Sequence, residues 1–243
     1  MNKKSGNNFS SGEDSKLVME MFDNIADTYD LLNGFMSMGI DNRWRKKGLS
    51  SIPMEKRGNL LDIGCGTGDL AFMALKMNYE KVVCADISFN MLKVNRKRQF
   101  VRFKRLRNLI VNSNAEKLPF KTESFSSIIA GFSIRNVHDR EKAVKDAFRV
   151  LQRGGVFVVL EFSMPSSKII YKIYNFYFNK IIPFIGSIVS GNRIAYKYFP
   201  KSVKNFPQPS EFIKLLSDSG FSSVKSKSLS FGITTLYTAT KGE

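Results

Sequence analysis

Asn59-Leu60-Leu61-Asp62-Ile63-Gly64-Cys65-Gly66-Thr67-Gly68-Asp69-Leu70 is a short apolar run ending in three alternating glycines, followed by the apolar, helix-forming stretch Leu70 to Leu75. That pattern predicts a buried parallel strand turning sharply into a helix. Glycines are required where backbone turns through left-handed dihedrals and lies against a ligand with no side chain in the way. The helix start that follows offers unpaired N–H groups to the same ligand. A dinucleotide fingerprint needs glycine again at the sixth position, which here is Asp69, and a Walker-type phosphate loop needs a Lys-Ser/Thr pair after the glycines. Both templates fail.

Working outward, Lys81-Val82-Val83-Cys84-Ala85-Asp86 reads as a second buried strand ending in a carboxylate. Asp86 lies about twenty residues after the glycines, the spacing at which α/β folds set an acid on ribose hydroxyls. Strands expected at 59–63, 81–86, 108–113, 125–132 and 155–162 alternate with helices at 70–77, 88–105 and 139–151. Such alternation argues a parallel sheet covered on both faces. Lys225 to Lys241 reads as two final strands in a hairpin around Phe231-Gly232. Ligands in such sheets sit at the carboxyl ends of strands, where the strand order reverses. Asn114 and the backbone N–H of Ala115, after the third strand, are therefore placed to bracket an adenine ring. The segment Gly131 to Asp139, after the fourth, is placed to touch a substrate. It carries His138, the only histidine, which is either a helix-start residue or a base.

The 243 residues suit one α/β domain, with 43% hydrophobic and 24% charged residues. Residues 1–15 are polar and read as a disordered tail without a signal core, so a cytoplasmic protein is expected. The domain spans 16–243, opening with a helical cap at 16–50. Within that cap Leu17, Met21, Ile25 and Leu32 mark an amphipathic helix, and Asp41 is a candidate N-cap for the next one. A cap of this kind either packs on the sheet or covers a ligand. Ser166 to Val189 is long and apolar, but Lys172, Lys180 and Pro183 argue against a membrane span. It reads as amphipathic helix within a helical lid at 165–205, either lining a greasy pocket or lying on a membrane. Two cysteines suggest no disulfide framework. The formal charge is +17, with eight Lys or Arg and no acid from Lys93 to Arg107. That run is a solvated face, a contact for an anionic membrane, or a nucleic-acid patch, and the last lacks the aromatics of a base-stacking platform.

The Asp62-x-Gly64-x-Gly66-x-Gly68 run resembles the first motif of class I S-adenosylmethionine methyltransferases. A longer series is similar to one family, the quinone-biosynthesis C-methyltransferases acting on demethylmenaquinol and ubiquinol precursors. The series includes Met21-Phe22-Asp23-Asn24-Ile25-Ala26-x-x-Tyr29-Asp30-Leu31-Leu32-Asn33, Asp41-x-x-Trp44-Arg45, Asn114-Ala115-Glu116-x-Leu118-Pro119-Phe120 and Arg135-Asn136-Val137. Arg149-Val150-Leu151-x-x-Gly154-Gly155 and Leu160-Glu161-Phe162-Ser163-x-Pro165 complete it. The chain departs from the family's usual Phe-Gly-Leu-Arg-Asn at Phe132-Ser133-Ile134-Arg135-Asn136, and has Gly131 where some relatives use a serine.

The resemblance implies a Rossmann-like, seven-stranded, mostly parallel sheet with an antiparallel C-terminal strand and helices on both faces. It implies S-adenosylmethionine as cofactor, held by Asp62, Gly64, Gly66, Thr67, Gly68, Asp86, Asn114 and Ala115. The implied reaction is methylation of a ring carbon of a reduced isoprenoid quinone, first of all demethylmenaquinol, with a ubiquinone-precursor benzoquinol as the alternative. Arg135 and Asn136 would hold the ring oxygen, and His138 or Tyr29 would take the proton, with no metal required. The expected partners are the quinol and, by peripheral contact on the inner face, an anionic membrane; a homodimer is left open. The competing class is an RNA methyltransferase. Against it, no Pro-Pro motif follows the fourth strand, and neither Cys65 nor Cys84 is placed as a nucleophile.

Overall fold

A computed structural model describes residues 11–30, 34, 37, 39–101, 108–165, 167–177 and 193–243. In chain order the elements are α1 (Ser11–Ile25), α2 (Asp41–Ser50), β1 (Asn59–Ile63), α3 (Asp69–Lys76), β2 (Lys81–Asp86), α4 (Phe89–Val101), β3 (Leu109–Asn112) and β4 (Phe125–Gly131). They continue as α5 (Arg140–Val150), β5 (Leu151–Phe162), α6 (Lys168–Phe176), α7 (Arg193–Lys204), α8 (Pro209–Asp218), β6 (Phe221–Leu229) and β7 (Thr234–Lys241). The seven strands form one sheet in the order β3-β2-β1-β4-β5-β7-β6. Pairs from β3 through β5 are parallel, while β7 runs antiparallel to both β5 and β6. The expected fold class is the observed one.

Along the central strands successive residues face two different cores, because side chains alternate across a pleated sheet. Leu61, Ile63, Val83, Ile128, Ala130, Phe157 and Val159 pack under α5 and α8, against Val144, Ala147, Phe212 and Leu216. Leu60, Val82, Cys84, Ile129, Val158 and Leu160 face the other way, against Trp44 and Leu49 of α2 and Leu70, Ala71 and Ala74 of α3. Asp62 belongs by parity to this second face, where it is a fully buried carboxylate among aliphatics.

The expected boundaries shift at several points. α1 begins at Ser11, inside the stretch expected to be disordered, and residues 1–10 lie outside the described residues. Asp41 is the first residue of α2 rather than its cap: the cap position is Ile40, and the Asp41 carboxylate instead pairs with Arg45 and accepts a hydrogen bond from Ser37 Oγ. β5 starts at Leu151 because Leu151 still pairs with Phe125, ahead of an irregularity in which β5 carries the extra residues. β6 starts at Phe221, four residues before the expected strand, since its Ser- and Lys-rich outer face hides the alternation. The hairpin sits at Ser230–Gly232, where Ser230, Phe231 and Gly232 all have positive φ. Of the expected lid, α6 and α7 are seen, and 178–192 lie outside the described residues, as do 102–107 of the basic run. Among the described residues no helix is long and apolar enough to cross a membrane.

Candidate functional site

The sheet order reverses between β1 and β4, and the glycine loop closes that crevice at the carboxyl end of β1. Gly64, Gly66 and Gly68 have φ of +66°, +54° and +92°, a region that L side chains enter only with strain. Gly64 is also sterically locked, since a Cβ there would stand 2.3 Å from the Cβ of Ser133. The Gly64 and Cys65 N–H groups donate to Ala85 O at 2.7 and 3.2 Å, which fixes the loop on the end of β2. Gly68 caps α3 and presents its first turn.

Asp86 ends β2 and pins the loop. Its Oδ2 accepts the Gly66 N–H at 2.7 Å and its Oδ1 accepts the Ser88 N–H at 2.8 Å. Burial pushes this carboxyl above its ordinary value, and the N–H groups of Ser88 and Gly66 oppose that shift. Asp62 lies beneath the loop, fully buried, and the nearby Arg45 charge and the Ala71 N–H favour its ionised form only weakly. Desolvation, with the nearby Asp86 charge second, drives its carboxyl up to about 8. Burial therefore favours the protonated form of Asp62 in the folded chain.

Above the loop is a cleft of about 840 Å³, counted out to its mouth. Gly64, Gly66, Ala85, Asp86 and Ile87 form its floor, and Ser113, Asn114, Ala115 and Glu116 its β3 side. Phe132, Asn136, Val137 and His138 form its β4 side, and Val18, Phe22 and Tyr29 of the N-terminal segment its roof. Phe22 and Tyr29 meet edge to face with centroids 6.0 Å apart. A Cβ on Gly66 would stand 3.8 Å from the Tyr29 ring, so the space a side chain would fill is open to a ligand. The Ser113 hydroxyl lines the cleft, is buried, and has no partner among the described residues. Asn114 turns its Oδ1 back to accept the Glu116 N–H at 2.9 Å. These features fit the methyl donor implied by the resemblance: a carboxylate at a strand end, open glycine backbone, and an unpaired hydroxyl beside Asn114 and Glu116 on the β3 side.

The structure thus gathers Gly64, Gly66, Asp86, Asn114, Ala115, Asn136, His138 and Tyr29 around one cleft. It places Asp62, Gly68, Thr67 and Arg135 behind its walls. Thr67 is buried and donates its hydroxyl to Asp30. Arg135, expected to grip the substrate, is corrected to an internal role. Its Nη1 lies 3.1 Å from Glu161 Oε2, its backbone N–H donates to Glu161 Oε1 at 3.0 Å, and its guanidinium stands over the Phe162 and Phe199 rings at 5.4 and 5.3 Å. Its Nη1 is committed to Glu161, its guanidinium lies between aromatic faces, and its Nε is buried without a partner among the described residues. It also donates to Phe132 O, and Phe132 holds the left-handed φ of +61°. Arg135 therefore fixes the turn that aims Phe132 and Asn136. From α7, the Tyr198 hydroxyl donates to Asn136 Oδ1 at 3.2 Å.

Sequence reasoning missed Ser113, Glu116, Phe22 and Ser133. The Ser113 and Glu116 positions follow from the same strand-end rule that selected Asn114. Ser133, where the family usually has glycine, donates to Ile63 O at 2.7 Å and so ties the β4 turn to the glycine loop. Gly131 is explained by packing, as a Cβ would stand 2.3 Å from Leu70 Cδ1.

The fold is similar to that of a SAM-dependent methyltransferase of Thermotoga maritima described as a possible histamine N-methyltransferase, with a TM-score of 0.63, 22% identity, and coverage of 92% of this chain and 99% of that one. By sequence the chain is 37% identical over 232 residues to a ubiquinone/menaquinone biosynthesis C-methyltransferase of Geobacter sulfurreducens, covering 95% of this chain and 90% of that protein. It is 36% identical over 233 residues to a demethylmenaquinone methyltransferase of Bacteroides fragilis, covering 95% and 94%. The profile of the ubiE/COQ5 methyltransferase family matches residues 10–241, and the chain belongs to that family.

Proposed function

We propose that this enzyme methylates a ring carbon of a reduced isoprenoid quinone, demethylmenaquinol above all, using S-adenosylmethionine. The observation that carries the reading is the β4 side of the cleft, where Asn136, His138 and Ser133 are the polar groups on a wall otherwise made by Gly131, Phe132 and Val137. Its support outside the cleft is the naming of the relatives, which divides between the demethylmenaquinone enzyme and the dual ubiquinone/menaquinone one.

When bound, S-adenosylmethionine supplies an electrophilic methyl on a sulfonium. The protein's work is to orient a hydroquinone ring, remove its hydroxyl proton and keep water out. The Asn136 amide, held by Tyr198, offers its N–H to the developing ring oxyanion. His138 or Tyr29, on opposite sides of the cleft, accepts the proton directly or through water. The apolar wall of Phe22, Phe132 and Val137 keeps water out and would favour loss of charge between a phenolate and the donor's sulfonium. Asp86 takes the donor's ribose, Asn114 and Ala115 its adenine, and Thr67, Asp62 and Gly68 act from behind the loop. Arg135 acts by positioning.

The isoprenoid tail requires contact with a bilayer. α6 exposes Ile169, Ile173 and Phe176 on one helical stripe beside Lys168 and Lys172, the composition of an interfacial helix. Peripheral binding to the anionic inner face through α6 and the basic run follows. Transfer of labelled methyl into reduced demethylmenaquinone, compared with a reduced ubiquinone precursor and with RNA, tests the reading.

A further inference from the structure

The roof over the cleft is fastened by two carboxylates. On α1, Asp23 Oδ1 accepts from the Ser88 hydroxyl and from the Asn90 N–H at 3.1 Å, and the Ser88 N–H is itself held by Asp86. Seven residues on, one Asp30 oxygen accepts the Thr67 hydroxyl from inside the glycine loop, and the other pairs with Arg98 Nη1 at 3.0 Å. Arg98 reaches the same loop, donating to Thr67 O at 2.9 Å and to Asp69 Oδ1 at 2.7 Å. Asp30 directly follows Tyr29, whose ring stands over Gly66. Among the described residues an apolar seam joins Ile25, Ala26 and Met91, with Phe22, Tyr29 and Val94 beside them. The polar fastenings add to that seam on the side of the glycine loop.

We propose that Asp30 is a positioning residue that gates the methyl donor: its bonds to Thr67 and Arg98 hold Tyr29 and Phe22 closed over the glycine loop, and the donor enters and leaves when they break. The proposal rests on the reading of the cleft as a donor site. It extends that reading by assigning exchange to a group that lies outside the cleft wall. The coupling is mechanical as well as electrostatic. Asp30 joins the roof to the loop itself, so loosening it frees the roof from the floor on the side where Tyr29 sits. Its side chain is 38% exposed and that of Arg98 16%, so the pair is partly shielded from water yet still open to salt. A gate differs from an ordinary contact in its kinetics. Unlatching a gate speeds entry and exit together and leaves affinity nearly level, whereas losing a contact speeds exit alone.

The test is surface plasmon resonance on the immobilised full chain with S-adenosylhomocysteine as the probe. Asp30→Ala loses both bonds, and Asp30→Asn keeps an oxygen for Thr67 while losing the charge opposite Arg98. Removing one charge-assisted bond and one neutral one raises both rate constants about tenfold in Asp30→Ala. Asp30→Asn gives a smaller rise of both, with Kd within about threefold in each variant. Exit from the native chain speeds up with added salt, and in Asp30→Ala it does not. Exit rising while entry stays unchanged, or both rates staying native, overturns the proposal. If Asp30→Ala fails to fold by circular dichroism, Asp30→Asn decides by the same criteria. No binding of S-adenosylhomocysteine by the native chain sinks the donor reading itself and the gate with it. Native binding with unchanged variant rates sinks the gate alone.

Discussion

Replacing Arg135 with alanine separates a residue that touches substrate from one that holds the wall of the site. Arg135 is 7% exposed and Glu161 fully buried, and the two are joined by the 3.1 Å ion pair and by the Arg135 N–H. Removing the guanidinium strands a carboxylate in an apolar interior, which costs roughly 3–5 kcal/mol where one partner of a buried pair is deleted. For a chain of this size that lowers Tm by about 6–20 °C. The loss depends on pH with a definite sign. Burial already holds the Glu161 carboxyl above its ordinary value, with Arg135 opposing that shift. Without Arg135 it rises further. A group with a raised folded pKa binds more protons in the native state, so stability falls as pH rises from the unfolded value through the folded one. The deficit of Arg135→Ala relative to the native chain therefore widens from pH 5 to pH 8. Thermal melts followed by circular dichroism over that range measure it, and turnover should fall in step with the lost fold. A variant that melts with the native chain at every pH yet transfers no methyl would refute the positioning role and return Arg135 to the substrate.

Other consequences follow from the loop. Asp62, raised to about 8, binds a proton in the folded state that the unfolded chain releases near pH 4, so it costs stability increasingly between those values. Asp62→Asn should abolish that slope and gain on the native chain as pH rises to 8, by up to a few kcal/mol; parallel pH profiles of urea unfolding would contradict it. Gly64→Ala forces a Cβ to 2.3 Å from that of Ser133 at φ +66° and should cost about 2–4 kcal/mol. Unfolding free energies of Gly64→Ala, alone and with Ser133→Gly, measure it, and the second change should recover part of the loss.

Much of the frame was legible because it rests on local rules. β1 and β2 fall on their expected residues, since short strands with three or four buried apolar residues, ending at glycine or aspartate, have few alternative readings. β6 was shortened because Ser222, Lys225 and Lys227 face solvent and only Phe221 and Leu229 signal burial at its ends. The cleft was legible where strand ends supply it, as at Asp86 and Asn114. It was less so where tertiary pairing decides. Arg135 reads as a free cation next to a substrate loop until Glu161, twenty-six residues away, is seen to take its charge. Arg98 likewise reads as one more residue of a basic run, yet its partners are Asp30 and Asp69. Sequence shows the sign of a charge, and only the fold shows what neutralises it.

The central claim is tested most directly by incubating the protein with S-adenosylmethionine carrying a labelled methyl and reduced demethylmenaquinone, a reduced ubiquinone precursor or total RNA in parallel, and identifying the product by carbon NMR. The account requires label on a ring carbon of the quinol, entering demethylmenaquinol fastest, with RNA unlabelled. Label on a quinol oxygen, or label in RNA with none in either quinol, would contradict it.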